Sequence, residues 1–114
     1  MKREIGDYIE DIIDAMDKAS DFVGNMSYEE FTRDDKTAYA VVRAIEIIGE
    51  ASRKIPGNVR KNYSEIPWKD MAGMRDKVIH EYFGVKLDIV WRTVKEEIPT
   101  LKHLFEKILT ELEK

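Results

Sequence analysis

Apolar residues recur every three or four positions along most of this chain. Ile5, Tyr8, Ile9, Ile12, Ile13, Met16, Ala19 and Val23 share one side of a helical projection, with Asp7, Glu10, Asp11, Asp14, Asp17 and Lys18 opposite. That spacing predicts a first amphipathic helix of roughly six turns. Gly24-Asn25 tolerate a left-handed cap and end it, and Ser27-x-x-Glu30 reads as a capping box opening a short turn that carries Tyr28 and Phe31. Asp34 or Asp35 caps the next element. Ala38 to Ile48 is apolar on nearly every face, the mark of a central helix packed on several sides. Pro56-Gly57 stops it, residues 58–63 make at most a short turn, and Pro67 restarts the chain where a first helical residue tolerates proline.

Trp68, Met71/Ala72, Arg75, Val78/Ile79 and Tyr82 continue the three-and-four spacing, which predicts one helix carried on to Gly84 as its C-cap. Asp88 opens another, with Ile89, Val90, Val94 and Ile98 on its apolar side. Pro99 is expected to interrupt that helix before a last one bearing Leu101, Leu104, Phe105, Ile108, Leu109 and Leu112. No internal repeat, low-complexity segment or strand-like alternation is present. The pattern predicts an all-α fold, an antiparallel four-helix bundle with short additional helices, as a single domain over residues 1–114.

The polar exceptions carry the candidate chemistry. Arg75 falls on an apolar stripe, and because a guanidinium stays charged it must meet a carboxylate, a partner chain, a water-filled cleft or an anionic ligand. His80 follows five residues on, roughly 140° around a helix at ~100° per residue, within reach across a cleft. Asp76 stands four residues before His80, one helical turn away, where a carboxylate can accept from one ring nitrogen and leave the other free. Arg43, Glu46, Glu50 and Arg53 align as a charged stripe on the central helix. They form either an internal ladder of ion pairs or a support in which Glu46 or Glu50 meets Arg75. Gly73, inside the predicted Arg75 helix, costs ~1 kcal/mol relative to alanine and points to packing or to a close approach by backbone or ligand. His103 lies on the polar side of the last helix and reads as a solvated surface histidine.

Charge refines this picture. The net charge is −4, which argues against indiscriminate nucleic-acid binding. Residues 1–35 carry four basic and eleven acidic side chains, whereas residues 53–77 carry seven basic and three acidic ones. The positive field beside Arg75 and His80 suits a phosphate-bearing ligand, although a solvated face has the same composition. No cysteine and only two histidines make a thiolate or histidine metal cage an unpromising basis, so the expectation is chemistry with no metal and no cofactor. No apolar run approaches a membrane span and no signal peptide opens the chain, which leads us to expect no membrane association and a cytoplasmic protein.

The run Gly73-Met74-Arg75-Asp76-Lys77-Val78-Ile79-His80-Glu81-Tyr82-Phe83-Gly84 resembles the Arg-x4-His-x-Tyr signature of the HEPN superfamily, in the branch of HepT-like toxins paired with minimal nucleotidyltransferase (MNT) antitoxins. Met26 to Phe31, Arg43 to Ala51, Ile66-Pro67-Trp68, and Val90-Trp91 through Ile98-Pro99 are similar to that branch in the same order. The resemblance implies a helical homodimer whose two Arg/His motifs face one another across the two-fold axis and cut RNA without a metal. It also implies that Arg75 and His80 are the catalytic pair, that Asp76 supports them, and that Tyr82 is the tyrosine adenylylated by the partner nucleotidyltransferase to silence the toxin.

The residue types suit that chemistry independently. Attack of a ribose 2′-hydroxyl on the neighbouring phosphate needs a group that exchanges protons near neutrality, as His80 can, and a fixed cation for charge on phosphorus, as Arg75 is. Two readings compete with it. In one, the chain is a non-catalytic nucleotide-binding or accessory subunit of a minimal nucleotidyltransferase, which the acidic net charge favours over a dedicated RNA binder. In the other, the bundle is structural and the polar motif is a satisfied network.

Overall fold

The computed structural model describes residues 3–80 and 84–113, and of His80, Gly84 and Val85 the backbone alone. The first helix, α1, spans Ile5–Val23. A capping box opens it: the Asp7 carboxylate accepts from the Glu4 N–H at 2.9 Å, and the Glu4 side chain accepts from the third helical N–H in return. Gly24 ends it at φ 54°, a left-handed-side φ that glycine adopts without a Cβ clash. The helix α2, Tyr28–Thr32, starts from the Ser27/Glu30 capping box, and α3, Asp35–Arg53, starts from Asp34, whose side chain accepts from the Thr37 N–H at 3.0 Å.

After α3 come three short helices: α4 at Gly57–Asn62, α5 at Trp68–Ala72 and α6 at Met74–Val78. Here the structure corrects the expectation of one helix running through Arg75 to Gly84. Gly73 (φ −92°, ψ 4°) ends α5 and begins α6, and α6 itself stops at Val78 because Ile79 is extended (φ −110°, ψ 124°). Two adjacent β-branched residues, Val78 and Ile79, favour that departure from the helix. Ile79–His80 (β1) then pairs antiparallel with Gly84–Val85 (β2), in the register Ile79 to Val85 and His80 to Gly84. Gly84 is therefore a strand residue, not a C-cap.

The chain turns helical again in α7, Leu87–Arg92. It passes through a π-helical turn, Thr93–Glu97, directly into α8, Ile98–Leu112. Pro99 was expected to break this path and does not. Proline removes a donor and crowds the carbonyl four residues earlier. The π turn lies where that crowding falls: its wider spacing is seen where the Ile98 N–H donates to the Thr93 carbonyl five residues back.

α1 packs along α3 and along α8, and α3 also covers α5 and α6. Lys95 donates to the Gly24 carbonyl while Lys102 pairs with Asp17, so α8 runs antiparallel to α1. The core between these helices is one cluster in which Phe31, Phe105, Ile9, Ile12, Met16, Ile45, Ile48 and Met71 are fully buried. Each such side chain contributes about 1.5–3 kcal/mol of burial. Trp68 stands edge-on to Phe105, with ring centroids 5.6 Å apart, and its indole N–H donates to the Tyr63 carbonyl. The fold is an all-α helical bundle, decorated by one two-residue pairing at the end of the motif segment. No described helix is long and apolar enough to cross a membrane.

Candidate active site

Arg75 sits in α6, and the position of α6 is set by how closely α5 approaches α3. Gly49 of α3 faces the carbonyls of Met71 and Ala72, so that a Cβ built there would lie 3.4 and 3.5 Å from them. One turn earlier on α3 and one turn later past α5, this contact places Glu46 opposite Arg75. The expectation of a close approach at Gly73 belongs instead to Gly49. Among the described residues, a Cβ on Gly73 would meet only the Lys69 and Asp70 carbonyls of its own segment, at 3.5 and 4.0 Å.

The Arg75 Nε lies 3.6 Å from Glu46 Oε2 and its Nη1 lies 3.6 Å from Asp76 Oδ1. Half of the Arg75 side chain is exposed, against 25% of Glu46 and 73% of Asp76. The arginine on the predicted apolar stripe thus emerges at the surface between two carboxylates, one anchored in the bundle and one in solvent. Separations of 3.6 Å are ion pairs rather than tight hydrogen bonds. They orient the guanidinium without sealing it from an incoming anion.

Through the same Oε2, Glu46 also meets Arg43, whose Nη1 lies 3.9 Å from Glu46 Oε2 and 3.9 Å from Glu50 Oε1. Glu50 therefore pairs with Arg43, and Glu46 is the carboxylate that the fold brings to Arg75. The expected internal ladder is a surface one, in which Arg43 pairs with Glu46 and Glu50 and, among the described residues, no ion pair includes Arg53; the Glu46 carboxylate that belongs to it also contacts Arg75.

Asp76 does not stand one helical turn from His80, since α6 ends at Val78 between them. What the fold gives Asp76 is the contact with Arg75. The backbone of His80 is held in β1 opposite Gly84, two residues past the helix that carries Arg75. The His80 side chain lies outside the described residues, and Tyr82 lies outside them altogether.

Part of the basic segment is structural. Arg60 donates through Nε to the Ile55 carbonyl at 2.8 Å, and through Nη2 to the carbonyls of Ser52 and Arg53. It satisfies carbonyls at the C-terminal end of α3, where a cation also complements the helix dipole. Counting charges along the sequence could not separate this role from a field aimed at a ligand. Lys77, by contrast, lines a surface pocket of about 310 Å³ with Ile89, Arg92, Glu96 and Glu97, immediately beyond Arg75 on α6. Among the described residues no group of three or more histidine, aspartate or glutamate side chains converges as a metal site would require.

A protein-family description, "Ribonuclease HepT-like", matches residues 12–108. A Thermococcus cleftensis protein named "Probable ribonuclease HepT" is 52% identical over 108 residues, covering 95% of this chain and 98% of that one. A Methanocaldococcus jannaschii protein named "Putative RNase MJ1216" is 51% identical over 112 residues, covering 98% of this chain and 93% of its own length. No solved structure matches the chain.

Proposed function

The chain belongs to the HepT-like ribonuclease family, and from that premise we propose that it is a metal-independent endoribonuclease toxin with Arg75 and His80 as its catalytic pair. The observation that carries this reading is Arg75 itself. It is a permanent cation, half exposed, oriented by Glu46 and Asp76, and close along the chain to the one histidine of the motif.

In the proposed reaction a ribose 2′-oxygen attacks the adjacent phosphorus as His80 takes its proton. The bond from phosphorus to the 5′-oxygen breaks, and that oxygen takes a proton from an imidazolium. A 2′,3′-cyclic phosphate and a free 5′-hydroxyl remain. Two chains related by a two-fold axis supply two imidazoles, one as base and one as acid. Arg75 meets the charge that gathers on the phosphoryl oxygens. Asp76, the more exposed of its two carboxylates, is the one an arriving phosphate displaces, while Glu46 keeps the guanidinium aimed.

The same reading extends to silencing. Transfer of AMP from ATP to the Tyr82 oxygen by a partner nucleotidyltransferase, with release of pyrophosphate, adds a negative phosphodiester seven residues from Arg75. That group competes for the cation the RNA phosphate needs.

The test is cleavage of RNA by purified protein in EDTA. Wild type cuts, and His80→Ala and Arg75→Ala each reduce the rate by about 10²-fold or more, the scale of a lost acid–base or oxyanion-stabilising group. Equal cleavage by wild type and His80→Ala overturns the assignment. Absence of cleavage together with tight association to the nucleotidyltransferase that survives His80→Ala favours the accessory-subunit reading. For the switch, incubation with the transferase and ATP adds the mass of an adenylyl group in wild type and not in Tyr82→Phe. Modification that persists in the phenylalanine variant refutes it.

A further inference from the structure

The pocket beyond Arg75 is lined by charges that have not neutralised one another. Lys77 of α6, Ile89 and Arg92 of α7, and Glu96 and Glu97 of the π turn line about 310 Å³, a volume in the range of small-ligand sites. The four charged side chains are exposed and Ile89 is half-buried. Among the described residues neither cation of the pocket pairs with either of its carboxylates. Arg92 reaches Asp88 instead, at 3.6 Å with both side chains more than 60% exposed, a contact that an arriving ligand displaces at little cost.

The π turn is what brings the two carboxylates to Arg92. Five residues separate Arg92 from Glu97, which is ~140° around an α-helix at ~100° per residue. The five-residue bonding of the π turn, Thr93–Glu97, returns that spacing close to one face, so Glu97 joins Glu96 in the pocket. The opposite wall comes from α6, which packs against α7. Lys77 lies two residues past Arg75, roughly 200° around that helix: Arg75 turns to Glu46 on α3 and Lys77 to the α7 side. A strand held at Arg75 crosses one helix, ~10 Å wide, to reach the pocket, so the pocket serves an adjoining nucleotide and not a distant one.

We propose that this pocket takes an unstacked guanine of the RNA strand, beside the phosphate that Arg75 holds, and so sets where the strand is cut. Its place in the reaction rests on the nuclease reading above. Single-stranded RNA is read in this manner, by splaying out a base and bonding its Watson–Crick edge. On that edge guanine alone presents two adjacent kinds of donor, N1–H and the N2 amino group, which a carboxylate accepts as a pair. Adenine and cytosine set one amino group beside an acceptor, and uracil sets one N–H between two acceptors; each leaves an acceptor facing a carboxylate. Glu96 and Glu97 therefore select guanine. Ile89 meets the apolar ring face, and Lys77 and Arg92 meet phosphates of the strand. A net charge of −4 makes the chain a poor track for RNA at large, and recognition of one base by a few placed groups does not need such a track.

The test reads binding and cutting separately. Binding is measured by fluorescence anisotropy with labelled thymidine hexamers carrying one central deoxyguanosine or deoxyadenosine; lacking the 2′-hydroxyl, they stay whole. Wild type binds the deoxyguanosine hexamer about tenfold or more tightly than the deoxyadenosine one, the scale of one bidentate base contact. In Glu96→Ala/Glu97→Ala, where the loss of negative charge tightens binding to both, the ratio falls to within about threefold. Lys77→Ala weakens both hexamers alike and keeps the ratio. All three positions are exposed, so the variants keep the fold, which a thermal melt verifies. Cutting is measured by mapping cleavage sites on one RNA: wild type cuts beside guanine, and the glutamate pair variant loses that preference. Equal binding of the two hexamers by wild type, or a preference untouched in the pair variant, overturns the pocket. RNA cut without regard to guanine also overturns it and leaves the nuclease standing. A guanine preference in binding that vanishes in the pair variant, with RNA left uncut, upholds the pocket and overturns the nuclease.

Discussion

Replacing Glu46 by glutamine removes one charge and little volume, and the Arg75 geometry sets the size of the effect. At 3.6 Å, two unit charges interact by about 1 kcal/mol at the dielectric of water and about 5 kcal/mol at an effective dielectric of 20. Because half of Arg75 is in solvent, the lower end applies, and folding loses ~1 kcal/mol or less. That shifts the melting temperature by no more than ~5 °C. The effect on cleavage is larger, since an arginine released from its carboxylate regains up to ~2 kcal/mol of rotamer freedom that must be removed again in the transition state. In the proposed two-chain cleft, two released arginines cost roughly 2–4 kcal/mol, or about 30- to 1000-fold in rate. The assay pairs single-turnover RNA cleavage in EDTA with a thermal melt of the same sample. Glu46→Gln lowers the cleavage rate within that range on a folded protein, and Glu46→Asp restores part of it. A variant that cuts at the wild-type rate, where Arg75→Ala does not cut, refutes Glu46 as the residue that positions Arg75. So does a loss fully accounted for by unfolding at the assay temperature.

Three further expectations concern the scaffold. Ser27→Ala removes the oxygen that accepts from the Glu30 N–H at 3.1 Å; it costs about 1 kcal/mol, read as a lower urea midpoint with unchanged slope. Phe105→Ala opens a cavity where the ring is fully buried and Trp68 loses its edge-on neighbour, at about 3–5 kcal/mol by denaturant titration. Asp34 is held below the ordinary carboxylate range, first by the Thr37 N–H and then by the Thr37 hydroxyl. The folded state therefore prefers its charged form: the resulting stability is present above the unfolded value near 3.8 and lost as pH falls through the lower folded value. Asp34→Asn keeps a cap that does not titrate, so melting curves taken from pH 5 down to 2 fall less steeply than in wild type; parallel curves count against this origin.

Much of the bundle was legible because helical periodicity and end signals act locally. The apolar positions of α1, the Ser27/Glu30 box and a cap at Asp34 or Asp35 depend on residues within a few positions of one another, and the structure places them as the spacing implies, with Asp34 as the cap. The motif segment misleads for the same reason. Trp68, Met71, Arg75 and Val78 keep their three-and-four spacing on both sides of Gly73, so periodicity alone reads straight through a junction and past Val78, where the backbone turns extended. At Pro99 the local rule is sound but incomplete, since a π turn just ahead of the proline lets the helical path continue. Arg60 and Arg75 look alike in a charge count, yet one binds carbonyls at the end of α3 and the other stands between carboxylates at the surface. Which of Glu46 and Glu50 reaches Arg75 depends on the approach of α5 to Gly49. That is a tertiary distance, and no single-helix projection contains it.

The central claim is that His80 and Arg75 promote attack by a ribose 2′-oxygen, and the ends of the RNA fragments test it most directly. Mass spectrometry of fragments made by wild type in EDTA is predicted to show 2′,3′-cyclic phosphate and 5′-hydroxyl termini, with no cut where the scissile nucleotide is 2′-deoxy. Fragments bearing 3′-hydroxyl and 5′-phosphate ends, or equal cutting of the deoxy-substituted strand, contradict it.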